Sequence, residues 1–376
     1  MIRTINFFVV TVAIFTLFVA ESYGQISAAE KKKAAEASGH VPGNFKGQVP
    51  ELAALLTSDL NSKQAKAYAI YHWIAHNISY DYAVAENVEM GAKKVDVISE
   101  ALEKRKGVCQ HYAELFHALA TESGLTSVLV YGYTKQDGKI MKVPHTWNAL
   151  QLDSVWYLFD PTWGAGYLYG STYHKHFTEE YFMMEPERII RSHMPFDLLF
   201  QFTEYPVGHE EFKRGKPSDS TVFVDYRTEM RRYLEMNEEE QLPEAMDRVE
   251  KLGIANTMVR GYYSFLNRQH RVYLANRQID LHNHAVDMFN EVVQDYNRYV
   301  NVMNAQGGKL PANTQELESL LQTLESKSVE VDKMFESIDP PMKLAQTMYK
   351  NHENLKKLLA QVRKEQKRLE EYRNSQ

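Results

Sequence analysis

The stretch CQHYAELFHALATESGL, residues 109–125, decides the fold class of this chain. Its apolar residues recur at helical spacing and Gly124 is typical of a helix end, so the stretch predicts one buried helix beginning at Cys109. The periodicity then changes, because three following segments are short, aromatic and β-branched, and turn residues separate them. They lie at residues 127–134, 146–152 and 155–159. Helices followed by antiparallel strands predict an α+β domain.

The rest of the chain divides around this domain. We place the α+β domain at residues 47–215 and predict an all-helical region at 216–376, where strand signals vanish. Glycine- and proline-rich breaks divide that region into at least three helical segments. Apolar residues at steps of three and four over 342–372 form a seam. Such a seam suits either an internal helical bundle or self-association with a partner helix.

The amino-terminal segment has the features of an export signal. Arg3 precedes an uncharged apolar run at 7–20, and small residues follow. These features predict a signal peptide at 1–24, cleaved near Gly24, and hence a periplasmic or secreted protein. No later apolar run is long enough to span a bilayer, so we expect no integral membrane segment in the mature chain. Residues 25–46 are expected to be a flexible lead-in.

Composition narrows the functional class. The 376 residues include 43 lysines and arginines against 49 acidic residues, a net charge of −6, which argues against a nucleic-acid partner. A single cysteine excludes an intramolecular disulfide framework and a cysteine-rich zinc module. His72 and His76 have the spacing of metal ligands on a helix, but no third ligand is evident. We therefore expect neither a metal nor a cofactor.

The one cysteine has two suitable catalytic partners in the sequence. Backbone N–H groups and the helix dipole at a helix start favour the thiolate, the form that attacks carbonyl carbon. A four-residue loop between the last two predicted strands pairs position 150 with 155, and hence His145 with Asp160. The imidazole and carboxylate would then share one face, with Cβ atoms about 5 Å apart, and a one-residue slip would separate them. Cys109 as nucleophile, His145 as base and Asp160 as the orienting acceptor is the arrangement of a papain-like site.

Around these residues the chain resembles the transglutaminase-like superfamily. The matching segments are RKGVCQHYAELF around Cys109, PHTWNAL around His145 and WYLFDPTWGAG around Asp160. The segment EEYFMMEPERIIRSHMP, residues 179–195, is similar to the kyphoscoliosis-peptidase branch. The resemblance covers about residues 60–210 and none of the helical region.

The resemblance implies a papain-like fold and a thioester on Cys109 that passes its acyl group to water or to an amine. The backbone N–H of the cysteine would donate to the oxyanion, with Tyr80 as a second donor. Many family members carry glycine where this chain has His111, which could narrow the substrate approach or act near the thiol. Trp163 and Gly164 are further candidates for the substrate cleft, because a glycine-rich turn permits close approach.

These observations predict an extracytoplasmic, cysteine-dependent acyl-transfer enzyme acting on protein or peptide amides. Hydrolysis is favoured over transamidation, because water is abundant outside the cell and no amine-donor pocket is evident. The alternative is a non-catalytic scaffold that binds peptide or cell-wall material, with the helices as an interaction arm and an unreactive thiol. The helices could also be an autoinhibitory lid, in which case deletion beyond about residue 225 would raise activity.

Overall fold

A computed structural model describes residues 26–43, 45–85, 94–215, 223–311, 313–339 and 345–375. The chain divides into two compact units, the first comprising Met1–Glu229 with Leu252–Arg260 and the second Met230–Lys251 with Gly261–Gln376. The predicted signal peptide at 1–24 lies outside the described residues. The domain division at 215/216 stays a prediction.

The first unit contains nine short or medium helices and eight strands among its described residues. The helices are α1 Ala28–His40, α2 Val49–Thr57, α3 Lys63–Asn77, α4 Tyr82–Ala85, α5 Lys94–Lys104, α6 Cys109–Glu122, α7 Pro161–Ala165, α8 Pro186–Ile189 and α9 His209–Arg214. The strands are β1 Ser79–Tyr80, β2 Lys106–Gly107, β3 Thr126–Gln136, β4 Lys139–Leu152, β5 Val155–Phe159, β6 Gly166–Tyr169, β7 Thr172–Lys175 and β8 His193–Pro195. A 3-10 helix at Leu198–Gln201 follows β8.

One antiparallel sheet organises this unit. Its strand order is β5-β4-β3-β8, while β1 pairs in parallel with β2 and β6 forms a hairpin with β7. Helix α6 begins at Cys109, as its sequence predicts, and ends before Gly124, whose φ of +78° lies in the left-handed region. The predicted α+β class, with long helices after the sheet domain, is confirmed.

Helix α6 packs its apolar side chains against the sheet. Leu115, Phe116 and Leu119 are fully buried, and the Phe116 and Phe159 rings lie 5.4 Å apart. The buried Asn148 side chain on β4 donates to the Ala113 carbonyl of α6 at 2.9 Å. These contacts join helix and sheet, so the start of the helix is held beside the strands that follow it.

The register of the β4–β5 hairpin differs from the prediction. Leu152 pairs with Val155, so the loop has two residues rather than four and the predicted pairing is wrong by two positions. The cause is the turn, since Asp153 and Ser154 both have positive φ, +48° and +70°, as a tight type I′ turn requires. Side chains alternate with a period of two, so an even shift leaves every residue on its predicted face.

The predicted flexible lead-in contains helix α1. Ser27 caps it by accepting from the Glu30 N–H at 3.2 Å, and Glu30 accepts in return from the Ser27 N–H at 3.2 Å. The alanine, lysine and glutamate residues that follow are strong helix formers. Ala34 is fully buried, and Ser38 contacts His72 of α3 at 2.9 Å. Helix α1 is therefore packed against α3 within the first unit.

The described residues from 226 onward form five helices. They are α10 Tyr226–Glu235, α11 Glu238–Leu252, α12 Thr257–Ala305, α13 Gln315–Glu336 and α14 Ala345–Ser375. The predicted glycine- and proline-rich breaks, at 307–311 and 339–341, fall between the last three helices. Leu355, Val362 and Leu369 of the predicted seam are buried in one cluster with Leu317 and Leu324 of α13. The seam therefore serves an internal helical core. Among the described helices, none has the length and apolar character that crossing a bilayer demands.

Candidate active site

Cys109 is the only cysteine of the chain and the first residue of α6. The residue is partly exposed. The N–H groups of His111 and Tyr112 donate to the Val108 carbonyl, and those of Cys109 and Gln110 precede the first hydrogen bond of the helix, so they can donate to a ligand. The short parallel pairing of β1 with β2 places Tyr80 opposite Gly107, two residues before the cysteine.

His145 and Asp160 are in contact despite the altered register. The His145 Nε2–H donates to Asp160 Oδ2 at 2.7 Å. The Cys109 side chain lies close enough to affect the pKa of His145, and Nδ1 is the ring nitrogen left for it. The carboxylate is fully buried, and its Oδ1 accepts from the Thr162 and Trp163 N–H groups at 2.9 and 3.1 Å. Asp160 thus caps α7 with one oxygen and orients the imidazole with the other.

Charges within this cluster shift the pKa values of both His145 and Asp160. Burial lowers the pKa of His145, but the charge and hydrogen bond of Asp160, and then of Cys109, raise it to about 10. Burial likewise raises the pKa of Asp160, but the charge and hydrogen bond of His145 and the hydrogen bond of His193 hold it well below its usual range. An imidazolium–carboxylate pair at neutral pH follows.

A second histidine, His193 on β8, completes the surroundings of the carboxylate. It is fully buried, and its Nε2 lies 3.1 Å from Asp160 Oδ2. Burial lowers the pKa of His193 and outweighs its attraction to Asp160, so the ring is neutral at pH 7. A carboxylate only accepts, so Nε2 carries the proton and Nδ1 accepts from the Ser192 hydroxyl at 2.8 Å. His193 lies in the segment 179–195 that resembles the kyphoscoliosis-peptidase branch, but only the pairing of β8 with β3 brings it to the site.

Cys109 and His145 line an open cleft of about 450 Å³. Tyr80 and Trp163, both predicted site residues, also line it. Burial raises the pKa of Tyr80, and the charge of Cys109 raises it further, so its hydroxyl stays protonated and able to donate.

Two predicted cleft residues lie elsewhere. His111 accepts from the Val108 N–H at 3.3 Å and its Nε2 lies 3.6 Å from a Glu100 oxygen, so it belongs to the α5–α6 contact. Gly164 packs on the core side, where an added Cβ would lie 1.9 Å from the Tyr71 hydroxyl. Neither residue is among those that line the cleft. The need for glycine at 164 is therefore a packing requirement.

The donor atoms of His145, Asp160 and His193 lie within 4.8 Å of one another, a spacing that could suit a metal ion. In this arrangement both imidazole Nε2 atoms hydrogen-bond to one carboxylate oxygen. These two hydrogen bonds explain why the three side chains lie so close together.

A sequence profile of the transglutaminase-like superfamily matches residues 50–161, the stretch that carries the three predicted catalytic residues. We name this region the transglutaminase-like domain after that similarity. The predicted resemblance to the transglutaminase-like superfamily is confirmed for residues 50–161.

Two relatives of the transglutaminase-like domain are named kyphoscoliosis peptidase, one from mouse and one from human. The mouse protein is 31% identical over 179 residues, and the human protein 31% over 180 residues, each match covering 45% of this chain. This chain covers 26% of the length of each relative. A solved structure described as a TGase aligns with 43% of this chain and 40% of its own, with 16% identity and a TM-score of 0.26.

Proposed function

We propose that the transglutaminase-like domain is a cysteine-dependent acyl-transfer enzyme for protein or peptide amide bonds, with hydrolysis favoured over transamidation. The observation that carries the proposal is the His145–Asp160 hydrogen bond beside an open cleft that Cys109 and His145 both line. Nucleophile, base and orienting acceptor are the three roles that such chemistry needs.

In the proposed reaction the Cys109 thiolate attacks the amide carbonyl carbon, and the carbonyl π electrons move to oxygen. The protonated ring nitrogen of His145 then gives its proton to the leaving nitrogen as the C–N bond breaks. A thioester and a free amine result. A water molecule next attacks the thioester while His145 accepts a proton from it. The C–S bond breaks, and a carboxylic acid leaves the regenerated thiolate.

Two donors suit the oxyanion of each tetrahedral intermediate. The Cys109 N–H lies at the amino end of α6, and the protonated Tyr80 hydroxyl borders the same cleft. Donors fixed before the reaction stabilise developing charge without reorganising. Asp160 remains ionised throughout and keeps the Nε2 proton of His145 on its own side. The other ring nitrogen is then free to take up and give the proton on the side of the thiol.

Alkylation of the single thiol tests the proposal. We expect iodoacetamide to modify the wild-type protein at pH 6 roughly tenfold or more faster than His145→Ala, because the imidazolium stabilises the thiolate. The second-order rate constant is measured by mass spectrometry. Cys109→Ala is the blank, since the chain has no other cysteine. His40→Ala, at an exposed end of α1, is the matched histidine control and should react like the wild type.

A folded protein whose thiol reacts equally with and without His145 would contradict the proposal. That result would favour the non-catalytic scaffold. Circular dichroism of each variant separates a change in reactivity from a loss of fold.

We also propose that the enzyme acts outside the cytoplasm, on the basis of the apolar run at 7–20 and its flanking residues. Sequencing the amino terminus of the exported protein should find a start near Gln25. An intact Met1 on protein retained in the cytoplasm would contradict this.

A further inference from the structure

The catalytic cleft has two walls with exposed apolar side chains. One wall is the arm, residues 134–145 of β3 and β4, where Met141 is 37% and Val143 45% exposed. The other is the β6–β7 hairpin, where Tyr167 is 53% and Leu168 40% exposed. All four side chains line the cleft that contains the thiol. Large apolar groups left in water at such a place are typical of a binding surface.

The arm carries its apolar groups close to the proposed base. The pairing of β4 with β3 shifts register between Pro144 and Ile140, so β4 is irregular at residues 141–143. Met141 and Val143 line the same cleft as His145, and Val143 is two residues from it along β4. The apolar wall therefore begins near the imidazole, where it can contact a side chain next to the scissile carbonyl.

One edge of β4 is also open beside the cleft. β5 pairs with β4 only from Asn148 to Leu152, and among the described strands none pairs on that side with residues 139–144, which are at least partly exposed. Asp160 directly follows β5, so this open edge faces the side on which the catalytic carboxylate lies. An unpaired strand edge can hydrogen-bond to an extended peptide.

The charge of the residues that line the cleft favours an internal peptide segment over a chain end as the ligand. The described residues that line the cleft include no lysine or arginine, and Asp137 at the tip of the arm adds a negative charge. The cation that the site itself supplies there, the His145 imidazolium, is already paired with Asp160, so a free terminal carboxylate or an acidic side chain would compete with Asp160 for it. Burying such a group without a partner is costly.

We propose that the cleft binds an internal segment of extended polypeptide with apolar side chains flanking the scissile carbonyl. This proposal rests on the proposed acyl-transfer function. Met141 and Val143 contact these side chains from the arm, and Tyr167 and Leu168 contact them from the hairpin. The backbone of the segment lies along the open edge of β4.

Two peptide alkylating agents test this selectivity. Acetyl-Leu-Leu-chloromethyl ketone and acetyl-Glu-Glu-chloromethyl ketone both alkylate a thiolate with loss of chloride, and each rate is divided by the iodoacetamide rate of the same protein. We expect the leucine probe to react roughly tenfold or more faster than the glutamate probe, the range that one apolar pocket supplies. Tyr167→Ser should reduce that ratio severalfold, and dividing by the iodoacetamide rate removes any change in the reactivity of the thiol itself.

Tyr169→Ser is the matched control, since Tyr169 lies on the same hairpin, is 78% exposed and is not among the cleft-lining residues. It should keep the wild-type ratio. Equal normalised rates for the two probes, or equal effects of the two tyrosine variants, would overturn this proposal alone. A folded protein that fails to react with iodoacetamide would overturn the proposed function, and this proposal with it.

Discussion

Asp160→Asn is expected to lower hydrolysis of a fluorescein-labelled casein at pH 7 by about 10⁴-fold, as loss of the orienting carboxylate does in a Ser-His-Asp site. The asparagine oxygen would stay with the Thr162 and Trp163 N–H groups that now bond Oδ1, which turns its NH₂ toward the imidazoles. His145 must then accept at Nε2 and carry its proton on the nitrogen that faces Cys109. An imidazole in that tautomer has no lone pair to take a proton from the thiol.

The pH dependence of stability separates this effect from simple misfolding. The lowered pKa of Asp160 contributes stability that is present above about pH 4 and lost in acid. The pKa of His145, raised to about 10, contributes stability that is full below about pH 6.5 and lost as the pH approaches 10. Urea unfolding should therefore show a larger difference between wild type and Asp160→Asn at pH 5.5 than at pH 9.5. A difference that does not change with pH would contradict the ion pair.

His193→Leu is expected to lower casein hydrolysis by about 10- to 100-fold, the usual cost of losing a group that orients a catalytic side chain. The variant removes one of the two imidazole donors to Asp160 Oδ2 and leaves the Ser192 hydroxyl only the Ile189 carbonyl as acceptor, at 3.3 Å. His193 does not line the cleft, so it acts as a positioning residue through the carboxylate.

Two conservative variants make this prediction specific. His193→Gln can place an amide N–H near the position of Nε2 and should recover part of the activity. His193→Asn is too short to reach Asp160 and should resemble His193→Leu. Equal activity in the glutamine and leucine variants, with both folded, would show that the ring serves packing alone. In the leucine variant, casein hydrolysis should begin to fall at a lower alkaline pH than in the wild type. The reason is that a less firmly held Asp160 carboxylate raises the pKa of His145 by a smaller amount.

The sequence predicts the site better than it predicts the geometry that builds the site. Helix α6 and the three catalytic candidates follow from periodicity, turn residues and spacing. The hairpin register does not, because the two positive φ angles at Asp153 and Ser154 depend on a turn that neither residue requires. The His145–Asp160 contact is still formed, since an error of two positions preserves the face of a strand.

Other features depend on contacts distant in sequence. His193 reaches Asp160 only because β8 pairs with β3 across some sixty intervening residues, with Gly132 opposite Pro195. The position of His111 depends on Glu100 of a separate helix. Helix α1, in contrast, has a local signal in the Ser27–Glu30 capping box, but the glycines at 39, 43 and 47 favour a flexible segment.

The four hydrogen bonds of the buried Asp160 have a consequence for how related sequences diverge. Cys109 is partly exposed at the cleft, so a lineage that no longer needed the reaction could replace it at little cost to folding. The carboxylate binds two histidines and the start of α7, so the same lineage would be selected to keep it. An aspartate at this position in a descendant sequence therefore reports an intact fold. The cysteine is the residue whose presence or loss reports whether the chemistry survives.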